Sequence, residues 1–287
     1  MVITIQSKRA KVSRYLRSPH AVAHQVSQRD RELLDTFTLF PFLTAAQLCR
    51  LVFGSESALS YCRDRLKKLW HARLLERVYL RRSVYGSPLA VYTLKHRNAV
   101  ERSFLFLEHT LEIANFAIAV RSYCESDGVE LSQLLLEGSL RRQPVRVRDG
   151  SRDVAVIPDA YVRLLLRREG RAYELGWAVE IDRATVPGRA FRRKVRRLLA
   201  YAEGPYQAWA QSSALTIVVI TTGGEKRLEM LTRAVEEELL ANGAADQGDL
   251  FRLASAQLES IEPVALVRDR RFRIPFREGL VPLLPEA

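Results

Sequence analysis

Hydrophobic positions in the first third of the chain recur at helical spacing in three consecutive segments. A first helix begins after Ser27, which can form a capping box with Asp30, and Thr44 with Gln47 gives the same signal for a second, shorter helix. A third helix is predicted over residues 57–71. Its apolar positions share one face at ~100° per residue: Leu59, Cys62, Leu66, Leu69 and Trp70.

The opposite face of the third helix is polar and basic, which is typical of a helix that contacts base edges and phosphates. Two strand-like runs follow, at residues 74–80 and 90–94, and three helices with such a hairpin predict a winged helix. We predict that duplex DNA is contacted by this helix face and by the basic tip of the hairpin: Ser57, Ser60, Tyr61, Arg65, Lys67, Lys68, Arg81 and Arg82. The alternatives are an ordinary solvated face or a winged helix that binds only protein.

From residue 105 onward the pattern alternates between helices and strands. An apolar helix is predicted over residues 105–124, a basic helix over 189–202 and an amphipathic helix over 226–240. Strand-like runs lie between and after them, at residues 143–147, 154–157, 160–166, 173–181, 215–221 and 251–253. This order predicts an α/β (α+β) fold with a mixed sheet flanked by helices.

Charge divides the chain into two parts. The net charge is +12, and all of it lies in residues 1–105, which contain 19 Lys and Arg against 7 Asp and Glu. Such a basic segment predicts a polyanion-binding module, and a merely soluble basic surface is the alternative. We predict a basic arm over residues 1–26 and a winged helix over residues 27–104. An α/β domain of the nuclease-like kind follows over residues 105–245, and a C-terminal extension, residues 246–287, packs on that domain.

Cysteine content and hydropathy indicate the cellular compartment. The three cysteines are odd in number and lack the close spacing of metal ligands, which argues against a disulfide framework or a zinc site: Cys49, Cys62 and Cys124. No apolar run approaches the ~20 residues that span a bilayer, and no signal peptide is evident. We therefore expect a cytoplasmic protein with reduced core thiols and no membrane partner.

The hairpin formed by the runs at 160–166 and 173–181 has a register that can be calculated. If Glu169 and Gly170 are its central turn residues, Asp159 lies directly opposite Glu180. Asp182 projects from the same face as Glu180, because side chains alternate along a strand. The sequence therefore predicts that three carboxylates converge at one end of this hairpin.

Like charges opposed across a strand pair are destabilising unless something compensates them. Mg²⁺ would do so, because it prefers oxygen ligands and needs only one or two protein carboxylates besides water and substrate phosphate. Asp159, Glu180 and Asp182 are therefore candidate ligands of Mg²⁺. The alternative, equally compatible with the pattern, is a salt-bridge network in which Arg163 or Arg183 pairs with them.

Pro158-Asp159, followed by Glu180-Ile181-Asp182 and then by Lys194 on the next helix, resembles the PD-(D/E)XK nuclease pattern. More narrowly, the chain resembles the replication-relaxation family of bacterial plasmids and integrative elements. Besides the winged helix, the shared motifs are Leu107-Glu108-His109, Pro158-Asp159, Glu180-Ile181-Asp182-Arg183, and Lys194 with Tyr201. The resemblance spans residues 27–220 and implies a nuclease-like domain whose catalytic residues are Asp159, Glu180, Asp182 and Lys194.

One position departs from the nuclease pattern, which has a lysine where this chain has Asp182. That lysine helps to activate the attacking water or stabilises charge on the phosphate, and Lys194 can replace it only if its helix docks it over the carboxylates. Glu112 could supply a further carboxylate, and His109 is interpreted as a structural histidine rather than a general base. Four arginines near Lys194 form a basic ridge that either holds a DNA backbone or pairs with the acidic stretch 236–238: Arg192, Arg193, Arg196 and Arg197.

Three functions stay open at this point. The first is a DNA-binding accessory protein of a mobile genetic element, acting in plasmid replication, relaxation or mobilisation with duplex DNA and a relaxase, replication or other mobile-element protein as partners. The second is an active Mg²⁺-dependent endonuclease or nickase. The third is a winged-helix transcriptional regulator whose second domain makes a homodimer. Asp182 in the lysine position favours the first, whereas the four residues Asp159, Glu180, Asp182 and Lys194 together favour the second.

Overall fold

A computed structural model describes residues 16–81, 87–95, 103–168 and 170–284 of the chain. Two predicted positions, Arg82 at the hairpin tip and Glu169 in the second turn, lie outside the described residues, as does most of the predicted basic arm. The chain forms two compact units, Met1–Arg102 and Ser103–Ala287, which are described separately below.

The first unit contains three helices and a small antiparallel sheet. Both predicted capping boxes are present: Ser27 N donates to Asp30 at 2.9 Å, and Thr44 N donates to Gln47 at 2.9 Å. The three strands lie in the order β1-β3-β2. In chain order the elements are α1 (Gln28–Asp35), β1 (Leu43–Thr44), α2 (Ala45–Phe53), α3 (Leu59–His71), β2 (Leu75–Leu80) and β3 (Leu89–Leu94). This is the element order predicted for a winged helix.

The third helix begins two residues later than predicted. Ser57 lies in a short 3₁₀ turn, Glu56–Ala58, in which Ser57 N donates to Ser55 Oγ at 3.3 Å. Ala58 at the helix start provides no side-chain cap. The predicted apolar face of α3 is buried, and Cys62, Leu66 and Leu69 are fully inaccessible to solvent.

The second unit is a mixed α/β layer, which confirms the predicted fold class. Its elements are α4 (Phe104–Asp127), β4 (Glu130–Leu136), α5 (Glu137–Leu140), β5 (Val145–Asp149), β6 (Arg152–Val156), β7 (Ala160–Arg168), β8 (Arg171–Asp182), α6 (Gly188–Ala202), α7 (Pro205–Ala210), β9 (Leu215–Thr221), α8 (Glu225–Ala241), β10 (Phe251–Ser255) and α9 (Pro263–Arg268). The main sheet has the order β10-β9-β8-β7-β4, and β5 with β6 forms a separate hairpin.

Within the main sheet β10, β9 and β8 are parallel, whereas β7 and β4 are antiparallel to their neighbours. Residues of α6 and α8 pack into one hydrophobic core with Tyr161, Ala178, Ile217 and Val219 of the sheet. Helix α4 contacts β4, β8 and α9. No helix among the described residues is both long enough and apolar enough to span a membrane.

The calculated register of the hairpin is confirmed, because Ala160 pairs with Val179 and the pairing continues without a shift to Arg168 and Arg171. Strand β4 was not predicted. Its pairing with β7 shifts between Leu131 and Gln133, and this irregularity breaks the alternation of apolar and polar residues that marks a strand.

Candidate functional site

Asp159 is held by backbone contacts at the end of the sheet where β7 begins. Its N–H donates to the carbonyl of Val179 on β8 at 2.9 Å, and its carbonyl accepts from Glu137 N at 2.9 Å. Since β7 runs antiparallel to β8, the start of β7 lies beside the end of β8. The hairpin therefore brings Asp159 next to the segment that contains Glu180.

Both oxygens of the Asp159 carboxylate have partners. Oδ2 accepts from Ile181 N at 2.7 Å, and Oδ1 lies 3.1 Å from Nε2 of His109 on α4. Burial alone would raise the pKa of Asp159, but the charge of Lys194 and these hydrogen bonds outweigh it and lower the pKa. Burial would likewise lower the pKa of His109, and its contact with Asp159 raises it instead. Asp159 is therefore an ionised carboxylate at neutral pH.

Lys194 of α6 reaches back to the sheet and its Nζ forms an ion pair with Glu180 Oε2. The Glu180 side chain is only 4% exposed, whereas that of Lys194 is 43% exposed. Apart from this ion pair, neither carboxylate oxygen of Glu180 has a hydrogen-bond partner among the described residues. Helix α6 thus places Lys194 against a carboxylate of the sheet, which is the position that Lys194 needs to replace the nuclease lysine.

The pKa values of Glu180 and Asp159 are shifted in opposite directions. Burial, supported by the nearby charge of Asp159, raises the pKa of Glu180 to about 8 although Lys194 acts in the opposite direction. Burial would lower the pKa of Lys194, but the charges of Glu180 and Asp159 raise it. Lys194 is therefore positively charged beside the two carboxylates.

Asp182 does not join the other two carboxylates, which corrects the predicted set of three. It forms an ion pair with Arg227 at 2.6 Å and accepts hydrogen bonds from Thr221 Oγ1 at 2.8 Å and from Ala184 N at 3.1 Å. Burial would raise the pKa of Asp182, but Arg227 and Thr221 lower it. The part of the chain that the structure describes contains no group of three His, Cys, Asp or Glu side chains placed to hold a metal ion.

The compensating arginine is not one of the two suggested by the sequence. Arg183 pairs with Glu108, and Arg163 lies 3.4 Å from Glu174. Arg227 was missed because it follows Asp182 by 45 residues, in the first turn of α8. The signal that could have found it is the parallel pairing of β8 with β9, which places Asp182 opposite Thr221 just before that helix.

Asp159 and Glu180 remain the candidate ligands for Mg²⁺. They fit such an ion, because Glu180 Oε1 is buried without a partner among the described residues and Mg²⁺ requires only one or two protein carboxylates. Asp182 does not fit this role while Arg227 neutralises it. His109, Glu180 and Lys194 also line a pocket of about 320 Å³, which is open to a ligand larger than an ion.

The predicted DNA-contacting residues of the first unit are mostly solvent-exposed. These are Ser57 before α3, Ser60, Tyr61, Lys67 and Lys68 on it, and Arg81 after β2. Arg63, one helical turn before Lys67, is exposed on the same helix and was missed, although its identity and spacing were visible in the sequence. Among the described residues, Arg63, Lys67 and Lys68 have no ion-pair partner.

Arg65 is the exception and its prediction as a DNA contact is corrected. Its guanidinium forms an ion pair with Asp30, with Nε 2.8 Å from Oδ1, and also donates to Ser27 Oγ at 2.6 Å. Asp30 is fully buried and the Arg65 side chain is only 13% exposed. Because Asp30 also caps α1, Arg65 ties α3 to the start of α1 instead of facing solvent.

The basic ridge on α6 is largely neutralised by neighbouring carboxylates, as the second of its two interpretations expected. Three of its arginines form ion pairs: Arg192 with Glu237 at 2.7 Å, Arg196 with Glu238 at 3.2 Å and Arg197 with Asp149 at 2.7 Å. Arg193 is exposed and has no ion-pair partner in the described ranges. Glu112 lies 3.5 Å from the Asn115 amide and does not line the pocket around Glu180.

Comparison with known proteins gives one family. The family model described as replication-relaxation matches residues 38–218 of this chain, a range that includes α3, Asp159, Glu180 and Lys194. A solved structure titled as restriction endonuclease FokI bound to DNA is 12% identical, with a TM-score of 0.22. The match covers 75% of this chain but only 45% of that one. No curated protein matches the chain.

Proposed function

Because this chain belongs to the replication-relaxation family, we propose that it is a cytoplasmic DNA-binding accessory protein of a mobile genetic element, acting in plasmid replication, relaxation or mobilisation. The observation that carries this proposal is the exposed face of α3, where Arg63, Lys67 and Lys68 have no carboxylate partner among the described residues. Such cations gain free energy when they neutralise phosphates and release counterions.

The distribution of charge supports the same assignment. Residues 1–102 contain 19 Lys and Arg against 7 Asp and Glu, whereas residues 103–287 contain 26 of each class. Ser60 and Tyr61 on α3 add hydrogen-bonding groups that can reach base edges, while the lysines position the helix on the backbone. The first unit is therefore proposed to bind duplex DNA through α3.

The second unit is proposed to serve binding or assembly, with a relaxase, replication or other mobile-element protein as its partner. Asp182 stands where the nuclease pattern has its lysine, and an anion there opposes the negative charge that develops on phosphate during attack. Its firm pairing with Arg227 is consistent with a structural role.

Binding of a fluorescent DNA duplex by the full chain, measured across a range of salt concentrations, tests this proposal. We expect Lys67→Ala with Lys68→Ala to reduce the slope of log affinity against log salt by about 2, and to weaken binding about 100-fold near ~0.1 M salt. Arg192→Ala with Arg196→Ala is the matched control, because it removes two cations that are already paired. Unchanged binding by the lysine variant would show that α3 is not the DNA-binding surface.

A Mg²⁺-dependent endonuclease is the second candidate, and the contact between Lys194 and Glu180 is the observation that favours it. Asp159 and Glu180 would hold the ion, which when bound lowers the pKa of water and offsets the charge of the scissile phosphate. Lys194 supplies a positive charge beside these carboxylates, where it can stabilise the phosphate during attack.

Nicking of supercoiled plasmid and calorimetric titration with Mn²⁺ decide between the two candidates. An endonuclease loses both Mn²⁺ binding and nicking in Glu180→Gln, and loses only nicking in Lys194→Ala. Lys226→Ala, an exposed lysine at the start of α8, is the control. Saturable Mn²⁺ binding without nicking, or no binding at all, leaves the accessory DNA-binding protein as the better account.

A further inference from the structure

The β5–β6 hairpin carries a local excess of positive charge in a unit whose total charge is balanced. Together with the turn before it, over residues 141–156, it contains five arginines against two aspartates. The second unit as a whole contains 26 Lys and Arg against 26 Asp and Glu. The β5–β6 hairpin is inserted between β4 and β7 and is not part of the main sheet, so the excess is concentrated on one small element.

Most of these arginines have no carboxylate to neutralise them. Arg141 pairs with Glu137, and Arg148 lies 3.2 Å from Asp153. The second of these pairs is weak, because both of its side chains are 63% exposed. The other three arginines are exposed and have no ion-pair partner in the described ranges: Arg142, Arg146 and Arg152. Unpaired cations of this kind gain free energy by neutralising phosphates and releasing counterions.

The β5–β6 hairpin is held firmly by α6 on its other side. Val147 and Val156 are buried in the hydrophobic core that includes Val195 of α6. At the turn, Asp149 pairs with Arg197 of α6 at 2.7 Å. Because side chains alternate along a strand, the residues on either side of Val147 project from the opposite face, toward solvent. The exposed arginines are therefore presented on a rigid two-stranded ribbon.

The shape and chemistry of this ribbon fit duplex DNA. A two-stranded β-ribbon is narrow enough to enter the major groove, and arginine binds phosphate through paired hydrogen bonds. Residues 141–156, all of which the structure describes, contribute nothing to the lining of the pocket around Glu180. The ribbon is thus a surface separate from the carboxylates of the candidate site.

We propose that the β5–β6 hairpin is a second contact with duplex DNA, in which Arg142, Arg146 and Arg152 neutralise backbone phosphates. The inference rests on the proposed DNA-binding function and assigns part of that function to the second unit. Duplex DNA would then be held through α3 in the first unit and through the ribbon in the second.

The test measures binding of a fluorescent DNA duplex by the full chain across a range of salt concentrations. We expect Arg142→Ala with Arg146→Ala to reduce the slope of log affinity against log salt by about 2, and to weaken binding at least about tenfold near ~0.1 M salt. Arg142→Lys with Arg146→Lys should keep the slope, because neutralising a phosphate requires only the charge. Both arginines are exposed, so the fold should tolerate these changes, and thermal unfolding checks this.

Arg192→Ala with Arg196→Ala is the matched control, since it removes the same charge from two paired positions of the same unit. An unchanged slope in the Arg142 and Arg146 alanine variant overturns the proposed contact, and so does an equal fall in the control. The proposed function survives either result if Lys67→Ala with Lys68→Ala still weakens binding. A reduced slope in the Arg142 and Arg146 alanine variant, with no effect of the lysine variant, would support the ribbon and overturn α3 as the DNA-binding surface.

Discussion

Helices α3 and α6 are both rich in arginine and lysine, yet their charges are in different states. On α3 three cations are exposed without an ion-pair partner among the described residues: Arg63, Lys67 and Lys68. On α6 four cations are paired with carboxylates from other elements: Arg192, Lys194, Arg196 and Arg197. Cations clustered on a helix therefore indicate a polyanion site only when neighbouring elements leave them without carboxylate partners.

The physical reason is that contact with a phosphate lowers the free energy more for an unpaired cation than for a paired one. A solvated cation without a partner releases a counterion from DNA when it binds, whereas a paired cation must first give up its carboxylate. The same distinction exists inside α3 itself, where Arg65 is committed to Asp30 and Lys67 is not.

The largest effect is expected when the ion pair between Arg65 of α3 and Asp30 of α1 is broken. Arg65→Ala should destabilise the protein by about 3 kcal/mol, because it leaves Asp30 buried with an uncompensated charge. Lys68→Ala, an exposed position on the same helix, should change stability by less than about 0.5 kcal/mol. Urea unfolding of both variants measures the difference. Equal urea midpoints for the two variants would show that the ion pair between Arg65 and Asp30 does not stabilise the protein.

A slightly smaller effect is expected for the corresponding pair in the second unit. Arg227→Met should destabilise by about 2 kcal/mol, because Asp182 keeps its hydrogen bonds from Thr221 and Ala184 after losing the arginine. The double variant with Asp182→Asn should recover part of the loss, since the buried charge is then absent. Thermal unfolding of the single and double variants tests the coupling, and purely additive losses would argue against it.

The pH dependence of stability tests the protonation of the buried pair. Burial raises the pKa of Glu180 in the folded chain from its ordinary value of 4.5 to about 8, so between these pH values the folded state holds a proton that the unfolded state has released. Stability therefore falls as pH rises through this window. Between pH 5 and pH 8 we expect the free energy of unfolding to fall by on the order of 2 kcal/mol more in the wild type than in Glu180→Gln. Denaturant unfolding with a chelator present measures this, and parallel pH profiles would contradict it.

The smallest effect is expected on the exposed side of α6. Arg192 and Glu237 are 46% and 49% exposed, so Arg192→Ala should cost less than about 0.5 kcal/mol. Its effect on stability should shrink further at high salt, because exposed ion pairs are screened. Unfolding at two salt concentrations checks this. A large or salt-independent loss would show that the ion pair contributes to the fold and not only to charge balance.

Local patterns in the sequence were sufficient for several features of the candidate site. The capping boxes at Ser27 and Thr44 are formed as predicted, and the turn residue Gly170 set a register that the pairing of Ala160 with Val179 confirms. The family inferred from short motifs is likewise confirmed by the match over residues 38–218. These features depend on residues close together along the chain or on the identity of a few residues.

Ion-pair partners were the main features that local patterns missed. Arg65 and Asp30 are 35 residues apart, and Arg227 and Asp182 are 45 residues apart, so no periodicity connects them. Strand β4 was missed for a different reason, since its irregular pairing with β7 interrupts the alternation that identifies a strand.

From the sequence alone came most of the longer helices and strands, the concentration of net charge in the first 102 residues, and the hairpin register that brings Asp159 beside β8. The tertiary fold was needed to show that Lys194 contacts Glu180 and that Arg227 pairs with Asp182. It was also needed to show that most cations of the α6 ridge are paired, whereas Lys67 and Lys68 on α3 have no ion-pair partner among the described residues. The reason is physical. Helices and hairpins follow from short-range backbone geometry, whereas the state of a charge depends on which side chains from distant elements come within a few ångströms of it.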